Sequence, residues 1–416
     1  MEETSGRSVR ANMLFNTAGS VIYYFCIWIT TILIVRMSGY EDAGILSIAM
    51  TVTASPAIAG LFNVRSYQVS DLNGEYADRA YIRSRIFTNL LSLVICVILA
   101  GVYGYFREPY KLGVILAYMI LKMSEAGADV YYGIYQKKAR LDYAGISLVV
   151  RGIGALTTFI LLIHFTKDLL LAVLGMSLFS VAVVLLFDMR IAGKLADQRR
   201  EPKDTGFPVI MKLIIRCIPL AIVSFLNNLS LTVPRTYLEK FHGEEIMGYY
   251  ASVSSPTIVI QLAATTLFAP LVPIMTMYFL KKEKKSFLKA FGLFAGLMGG
   301  LTAVAILLSV FLADPVLKLV FGPEIGPYTN LFIPILISAA LIAVNASLFS
   351  VCTLMRIIRP QYLVGIIGIV TAVFCAFTVV KTMDMNGVLI ALFVTLLSQI
   401  AIQVTLIVAG LRRMKE

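Results

Sequence analysis

ANMLFNTAGSVIYYFCIWITTILIV, residues 11–35, decides the fold class. A membrane-spanning helix needs about 20 apolar residues. This run is longer than that, too long for a signal-peptide core, and no small-residue cleavage site follows it. It therefore reads as a retained spanning helix behind Arg7 and Arg10. The rest of the chain repeats the theme. Of 416 residues, 59% are hydrophobic and 14% charged, which excludes an ordinary soluble core and points to a polytopic membrane protein.

The apolar runs predict about twelve helices, at 11–35, 43–64, 86–105, 112–134, 143–163, 169–187, 209–233, 246–279, 287–312, 330–353, 361–380 and 387–410. The eighth is overlong and holds Pro256, Pro270 and Pro273, so a bend is expected there. Of the 36 Lys and Arg, 24 fall on one side of this topology, counting Lys289 in the first turn of its span, 8 fall on the other, and Lys122, Arg151, Lys212 and Arg216 lie deeper within spans. That bias places both termini in the cytoplasm and accounts for most of the formal charge of +12 without nucleic acid as a partner. RSYQVSDLNGEYADRAYIRSR and KKEKK read as solvated cytoplasmic loops beside anionic lipid headgroups. Five scattered cysteines read as small buried hydrophobes. His164 and His242 fall in separate short connections, which argues against a His-based metal site, and no metal is expected. There is no GxxxxGK[ST] phosphate loop, hence no ATPase within the chain, and no loop large enough for a catalytic domain.

Gly39–Gly44 and Gly243–Gly248 share the pattern G-x-E-x-x-G, 204 residues apart, and Arg140-x-x-Tyr143 matches Arg359-x-x-Tyr362 at 219. Equivalent junctions imply two six-helix lobes of the same orientation: residues 1–187, a cytoplasmic linker 188–208, and residues 209–416. Parallel repeats of this kind place substrate between the halves, around a central cavity.

LKMSEAGADVYYG, residues 121–133, carries Lys122, Glu125 and Asp129 within an arc of roughly 60° on a spanning helix. Each such charge costs about 2.5–3.5 kcal/mol near the bilayer centre, so the stripe faces a cavity or another helix. Arg151 on the next helix is placed to pair with Glu125, while Arg216 has no evident acid. Helix one carries Asn12, Asn16, Gly19, Tyr23 and Thr30 on one face; helix seven carries Lys212, Arg216, Asn227 and Ser230. The charges read either as a salt-bridge network that only holds helices together or as a mildly cationic substrate path built from Asn16, Arg65, Lys122, Arg151, Arg216, Asn227 and Arg235. In the second reading Glu125 and Asp129 are the candidates for H⁺ or Na⁺ coupling, and no other cofactor is expected.

RANMLFNTAGS leading into GYEDAG, LFNVRSYQVSD, YLEKFHGEEIMGYYASVSSP, LFAPLVPIMTMYF and FGPEIGPY together resemble the polysaccharide or O-antigen repeat-unit flippases of the multidrug/oligosaccharidyl-lipid/polysaccharide exporter superfamily. The resemblance runs along nearly the whole chain. It implies twelve helices in two lobes and alternating access. It also implies transfer of an undecaprenyl-pyrophosphate-linked oligosaccharide across a bacterial cytoplasmic membrane. The implied partners are that lipid-linked substrate, membrane lipids and polysaccharide assembly proteins. In the family, cationic cavity residues are thought to meet the pyrophosphate; the first helix here offers Asn16 but no mid-span Arg, so Arg65, Arg151 and Arg216 stand in. The alternatives are a cation-coupled multidrug exporter of the same superfamily and, behind it, a membrane glycan polymerase using Asp314 and Glu324 of the longest outer loop.

Overall fold

The computed structural model describes residues 9–71, 74–195, 206–268 and 271–413, and those residues are helical nearly throughout. In order, the helices are α1 Val9–Ser38, α2 Tyr40–Leu61, α3 Val64–Ser70, α4 Asp78–Val102, α5 Pro109–Lys137, α6 Leu141–Thr166, α7 Leu169–Val183, α8 Met189–Leu195, α9 Phe207–His242, α10 Glu244–Ser254, α11 Ile258–Phe268, α12 Leu271–Leu280, α13 Lys284–Phe321, α14 Phe332–Leu354, α15 Gln361–Cys375 and α16 Lys381–Arg413.

Among the described residues, nine helical stretches are long and apolar enough to cross a membrane, the last of them Gln361–Arg412. That last stretch holds two spans, because α15 continues through a π turn at Ala376–Val380 into α16, whose backbone breaks at Asp384. Helix α5 is a further span of 29 residues whose charges set it apart from the apolar nine. The eighth span is broken into α10, α11 and α12. The protein is therefore an all-helical, multi-pass membrane protein with the twelve spans that the apolar runs predict. A bilayer leaves no solvent for backbone N–H and C=O groups, so each span satisfies them within its own helix. The apolar side chains that remain exposed, such as Val304, Leu307, Phe311 and Leu319 of α13, are the lipid-facing surface.

The expected bend in the eighth span is present as a 3₁₀ turn at Ser255–Thr257, where Pro256 cannot donate to the ladder. Pro270 and the centre of the 188–208 linker, residues 196–205, lie outside the described residues.

Two expectations about connections need correction. The stretch 65–85 is not a solvated loop: α3 and the start of α4 lie within it, and Gln68, Tyr76, Tyr81 and Arg85 are buried. Likewise, the sixth span does not stop at residue 187 but passes through a π turn, Val184–Asp188, into α8.

The chain forms two compact units, Met1–Ser38 with Ile45–Phe225, and Gly39–Gly44 with Leu226–Glu416. Neither boundary falls in the 188–208 connection. The first half of α9 stays with the first unit, where Asn63 donates to Ser224 at 3.2 Å and Arg216 pairs with Glu75. Residues 39–44 belong to the second unit because Gly44 packs on the backbone of Glu244 and Gly248 on that of Tyr40.

Candidate functional site

Within the first unit, α1 and α6 approach through glycines. A methyl group on Gly145 would overlap the Phe15 carbonyl, and one on Gly19 would overlap Gly145 itself. Small residues allow this contact without any solvent-driven force between helices. It brings Tyr23 of α1 over Arg151 of α6, with the guanidinium carbon 5.5 Å from the ring centroid.

Arg151 is 1% exposed. Its Nε donates to Ser180 at 3.0 Å, and its terminal nitrogens donate to Ser124 at 3.3 Å and Tyr132 at 3.4 Å. Glu125, which the sequence places to pair with Arg151, interacts with it electrostatically but accepts no hydrogen bond from it. Lys122, one turn back on α5, holds that carboxylate at 3.0 Å, and the Tyr23 hydroxyl donates to it at 2.6 Å. The intrahelical partner wins because it needs no second helix to be placed. Lys122 also lies over the Tyr118 ring at 5.4 Å.

The acid behind Arg151 is Asp188, fully buried on the π turn. Ser147 donates to Asp188 at 2.8 Å and shares a hydrogen bond with Tyr132 at 2.9 Å, while Tyr135 donates to Asp188 at 3.3 Å. Hydroxyls thus bridge a buried cation to a buried anion, which offsets part of the cost of holding each away from water. Sequence reasoning missed Asp188 by ending the sixth span one residue too early. The helix-compatible run that follows it is the signal that extends the span.

Asp129 serves a second cluster. It accepts from Arg65 at 3.4 Å and from Arg85, which is buried and also donates to the carbonyls of Gly60 and Leu61 near the end of α2. Arg65 further donates to Gln136 at 3.0 Å. Nothing in the local pattern around Arg85 distinguishes it from a loop cation. Arg216 is not unpaired either: it donates to Glu75 and, at 2.8 Å, to Tyr67. The Arg216 hydrogen bond holds the Glu75 carboxyl below its usual range. Asn16 lies half-buried on α1, its carbonyl accepting from Ser20 at 2.9 Å.

In the second unit, Asn227 belongs to a neutral chain of buried amides. Asn345 donates to Asn227 at 3.2 Å and to Gln399 at 3.1 Å; Gln403 donates to Asn345 at 3.0 Å, and Gln399 to Ser230 at 2.9 Å. The repeat offsets of 204 and 219 put Asn227 at the place of Tyr23 and Gln399 at that of Ser180. The two repeats therefore keep one polar core each, ionic in the first and neutral in the second. Arg235 is half-buried, 5.9 Å from the Tyr250 ring, with its Nε unpartnered. Asp314, expected in an outer connection, lies instead in α13, where it is paired with Lys318 at 2.8 Å and accepts from Thr329 at 3.0 Å.

The arrangement sorts the charges by access. Lys122 and Glu125 keep 20% and 26% of their side chains exposed, and Arg65 keeps 31%. Arg151 and Asp188 are sealed behind them. The accessible Lys122–Glu125 pair is held by its own ion pair and by the Tyr23 hydroxyl. The sealed groups fix the helices that carry them.

Residues 9–279 match the profile of a family described as "Polysaccharide biosynthesis protein". A Staphylococcus aureus protein described as "Capsular polysaccharide biosynthesis protein CapF" is 25% identical over 395 residues, covering 93% of this chain and 97% of that one. Among solved structures, the eukaryotic MATE transporter AtDTX14 superposes with a TM-score of 0.67 at 15% identity, covering 98% of both chains. The Vibrio cholerae MATE transporter VcmN in its bent form gives 0.61 at 13% identity over 98% of this chain and 97% of that one. The fold is shared with these MATE transporters.

Proposed function

Because this chain belongs to the polysaccharide biosynthesis protein family, we infer that it is a flippase for a lipid-linked oligosaccharide. The substrate is an undecaprenyl-pyrophosphate-linked repeat unit destined for a cell-surface polysaccharide. It crosses a bacterial cytoplasmic membrane by alternating access, its headgroup following a polar route while its tail stays in lipid. The observation that carries the reading is the partly exposed Lys122–Glu125 pair on the spanning helix α5. Charge at that depth is costly and marks a ligand or ion path in membrane proteins. The described relative CapF supports the polysaccharide side of the reading.

In this mechanism Lys122, Arg65 and Arg216 are the accessible cations that meet phosphate oxygens, Arg through its planar pair of donors. Arg235, with an unpartnered nitrogen, adds a donor in the second unit. Asn16 and Asn227 supply neutral hydrogen-bonding groups for sugar hydroxyls. Arg151 acts indirectly, by holding Tyr23, Tyr132 and Ser124. Coupling to H⁺ runs through Glu125 and Asp129, whose neutralisation frees Lys122 and Arg65 for the anion; Na⁺ beside either carboxylate acts with the same sign. Only a difference in affinity between the states of the cycle moves the equilibrium.

Deletion of the gene tests the reading. The expected result is accumulation of a lipid-linked repeat unit on the cytoplasmic side, with loss of surface polymer. Intact polymer with lost resistance to small cationic drugs overturns it in favour of a multidrug exporter, the alternative that the shared MATE fold supports.

A further inference from the structure

A cavity of about 460 Å³ lies in the second unit, where α12, α14 and α16 end. Its wall is apolar, formed by Phe279, Met355, Ile357, Leu406 and Gly410 among others, with Lys282 at its edge. The volume falls in the range of small-molecule sites. Apolar walls give water no partners, so an apolar occupant is favoured.

The rim carries the second half of the chemistry. Lys281, Lys282, Lys285, Arg356, Arg359 and Arg412 are exposed on the same turns. Among the described residues, none of the six makes an ion pair or side-chain hydrogen bond, and Glu283 is the one acid on these turns. The contrast with the first unit is sharp, since Arg65, Arg85, Lys122 and Arg216 each hold a carboxylate there. The distribution of Lys and Arg assigns this end of the unit to the cytoplasmic side. The cytoplasmic leaflet is where anionic lipids attract basic clusters.

We propose that this cavity binds an anionic glycerophospholipid of the cytoplasmic leaflet, its acyl chain lying against Met355, Ile357 and Leu406 and its phosphate meeting Lys282 and Arg356. Two independent features converge on that ligand class, an apolar cavity of suitable size and an uncompensated basic rim. The site lies in the second unit, away from the Lys122–Glu125 pair, and does not depend on what that pair transports.

The test uses the full chain in detergent, stripped of lipid, with phosphatidylglycerol and phosphatidylcholine of identical acyl chains as probes, read by native mass spectrometry and thermal melting. Phosphatidylglycerol is expected to bind at least tenfold more tightly and to raise the melting temperature more. Raising salt to about 0.5 M is expected to erase that preference in the unaltered chain, because exposed charges are then screened within a few ångströms. The pair Lys282→Gln with Arg356→Gln is expected to lose the tenfold preference, and Ala409→Phe, which fills the cavity, to weaken both lipids. Equal binding of the two lipids, or a preference untouched by salt, overturns the proposal. So does tighter binding of a polyprenyl pyrophosphate than of phosphatidylglycerol, which would make the cavity part of the substrate's path.

Discussion

Gly248 lies against the backbone of Tyr40 as Gly44 lies against the backbone of Glu244, so that the two G-x-E-x-x-G turns interlock within the second unit. Tyr40 and Tyr249 stack beside them with ring centroids 4.0 Å apart, and the Tyr40 hydroxyl donates to the Phe321 carbonyl at 3.0 Å. The contact explains what the repeated pattern is for: the first Gly of each turn has φ near +90°, and the last admits the other turn's backbone.

A methyl group at Gly248 would overlap a carbonyl oxygen, an atom that cannot rotate away. Gly248→Ala is therefore expected to cost about 1–3 kcal/mol, the range for overpacking, and Gly44→Ala the same. Thermal melting of each purified variant measures it. An Ala at Gly299, which faces open space on α13, is the control expected to melt like the unaltered protein.

Much of the architecture is legible from sequence because it rests on local periodicity. Apolar runs fix the spans, and the spacing of Lys122, Glu125 and Asp129 fixes the polar face of α5. What escapes is tertiary or depends on a break in periodicity. Asp188 sits on a π turn, where one extra residue rotates a side chain that a regular helix would have placed elsewhere. Arg85 and Glu75 find their partners across 44 and 141 residues of chain, and nothing near either residue announces the other.

Arg151 and Asp188 are joined through the hydroxyls of Tyr132 and Ser147. Removing one partner leaves a buried uncompensated charge, at a cost of about 3–5 kcal/mol. Arg151→Met is expected to destabilise by that amount, and adding Asp188→Asn to recover part of it. Additive losses in a double-mutant cycle would show that the hydroxyl bridge through Ser147 and Tyr132 carries no coupling.

The amide chain of the second unit is expected to behave differently. Gln399→Leu removes hydrogen bonds to Asn345 and Ser230 but leaves no charge. Interhelical hydrogen bonds in membranes average about 0.6 kcal/mol, with a maximum near 1.7 kcal/mol. Gln399→Leu should therefore cost well under half of what Arg151→Met costs, measured by unfolding both in the same detergent mixture.

The connection between α3 and α4 should loosen in acid. The Asp71 carboxyl is partly buried, which works to raise its pKa. The Tyr76 and Glu75 amides and the Tyr81 hydroxyl donate to it and prevail, so its net shift is downward. Glu75 is lowered by its hydrogen bond from Arg216. A depressed folded-state pKa contributes stability that is present above the ordinary carboxylate range and lost as pH falls through the lowered values. Hydrogen exchange at residues 74–77, corrected for intrinsic rate, should stay protected at neutral pH and open below that range. Glu75→Gln should open the connection at neutral pH and flatten its dependence on acid.

Access separates the Lys122–Glu125 pair from the buried Arg151 and Asp188. The side chains of Lys122 and Glu125 are 20% and 26% exposed, against 1% for residue Arg151 and 0% for Asp188. Cysteines placed singly at these four positions, in a chain whose five native cysteines are replaced, should divide into two classes. Those at 122 and 125 should react with a small charged thiol reagent, because these are the partly exposed positions. Those at 151 and 188 should stay protected until the protein unfolds. Protection at 122 and 125 in every state of the cycle would mean that the pair only ties α5 to Tyr23 of α1, and Glu125→Gln would then leave the pH dependence of transport unchanged. Reaction at both, together with transport made independent of pH in Glu125→Gln, would assign the proton to this carboxylate.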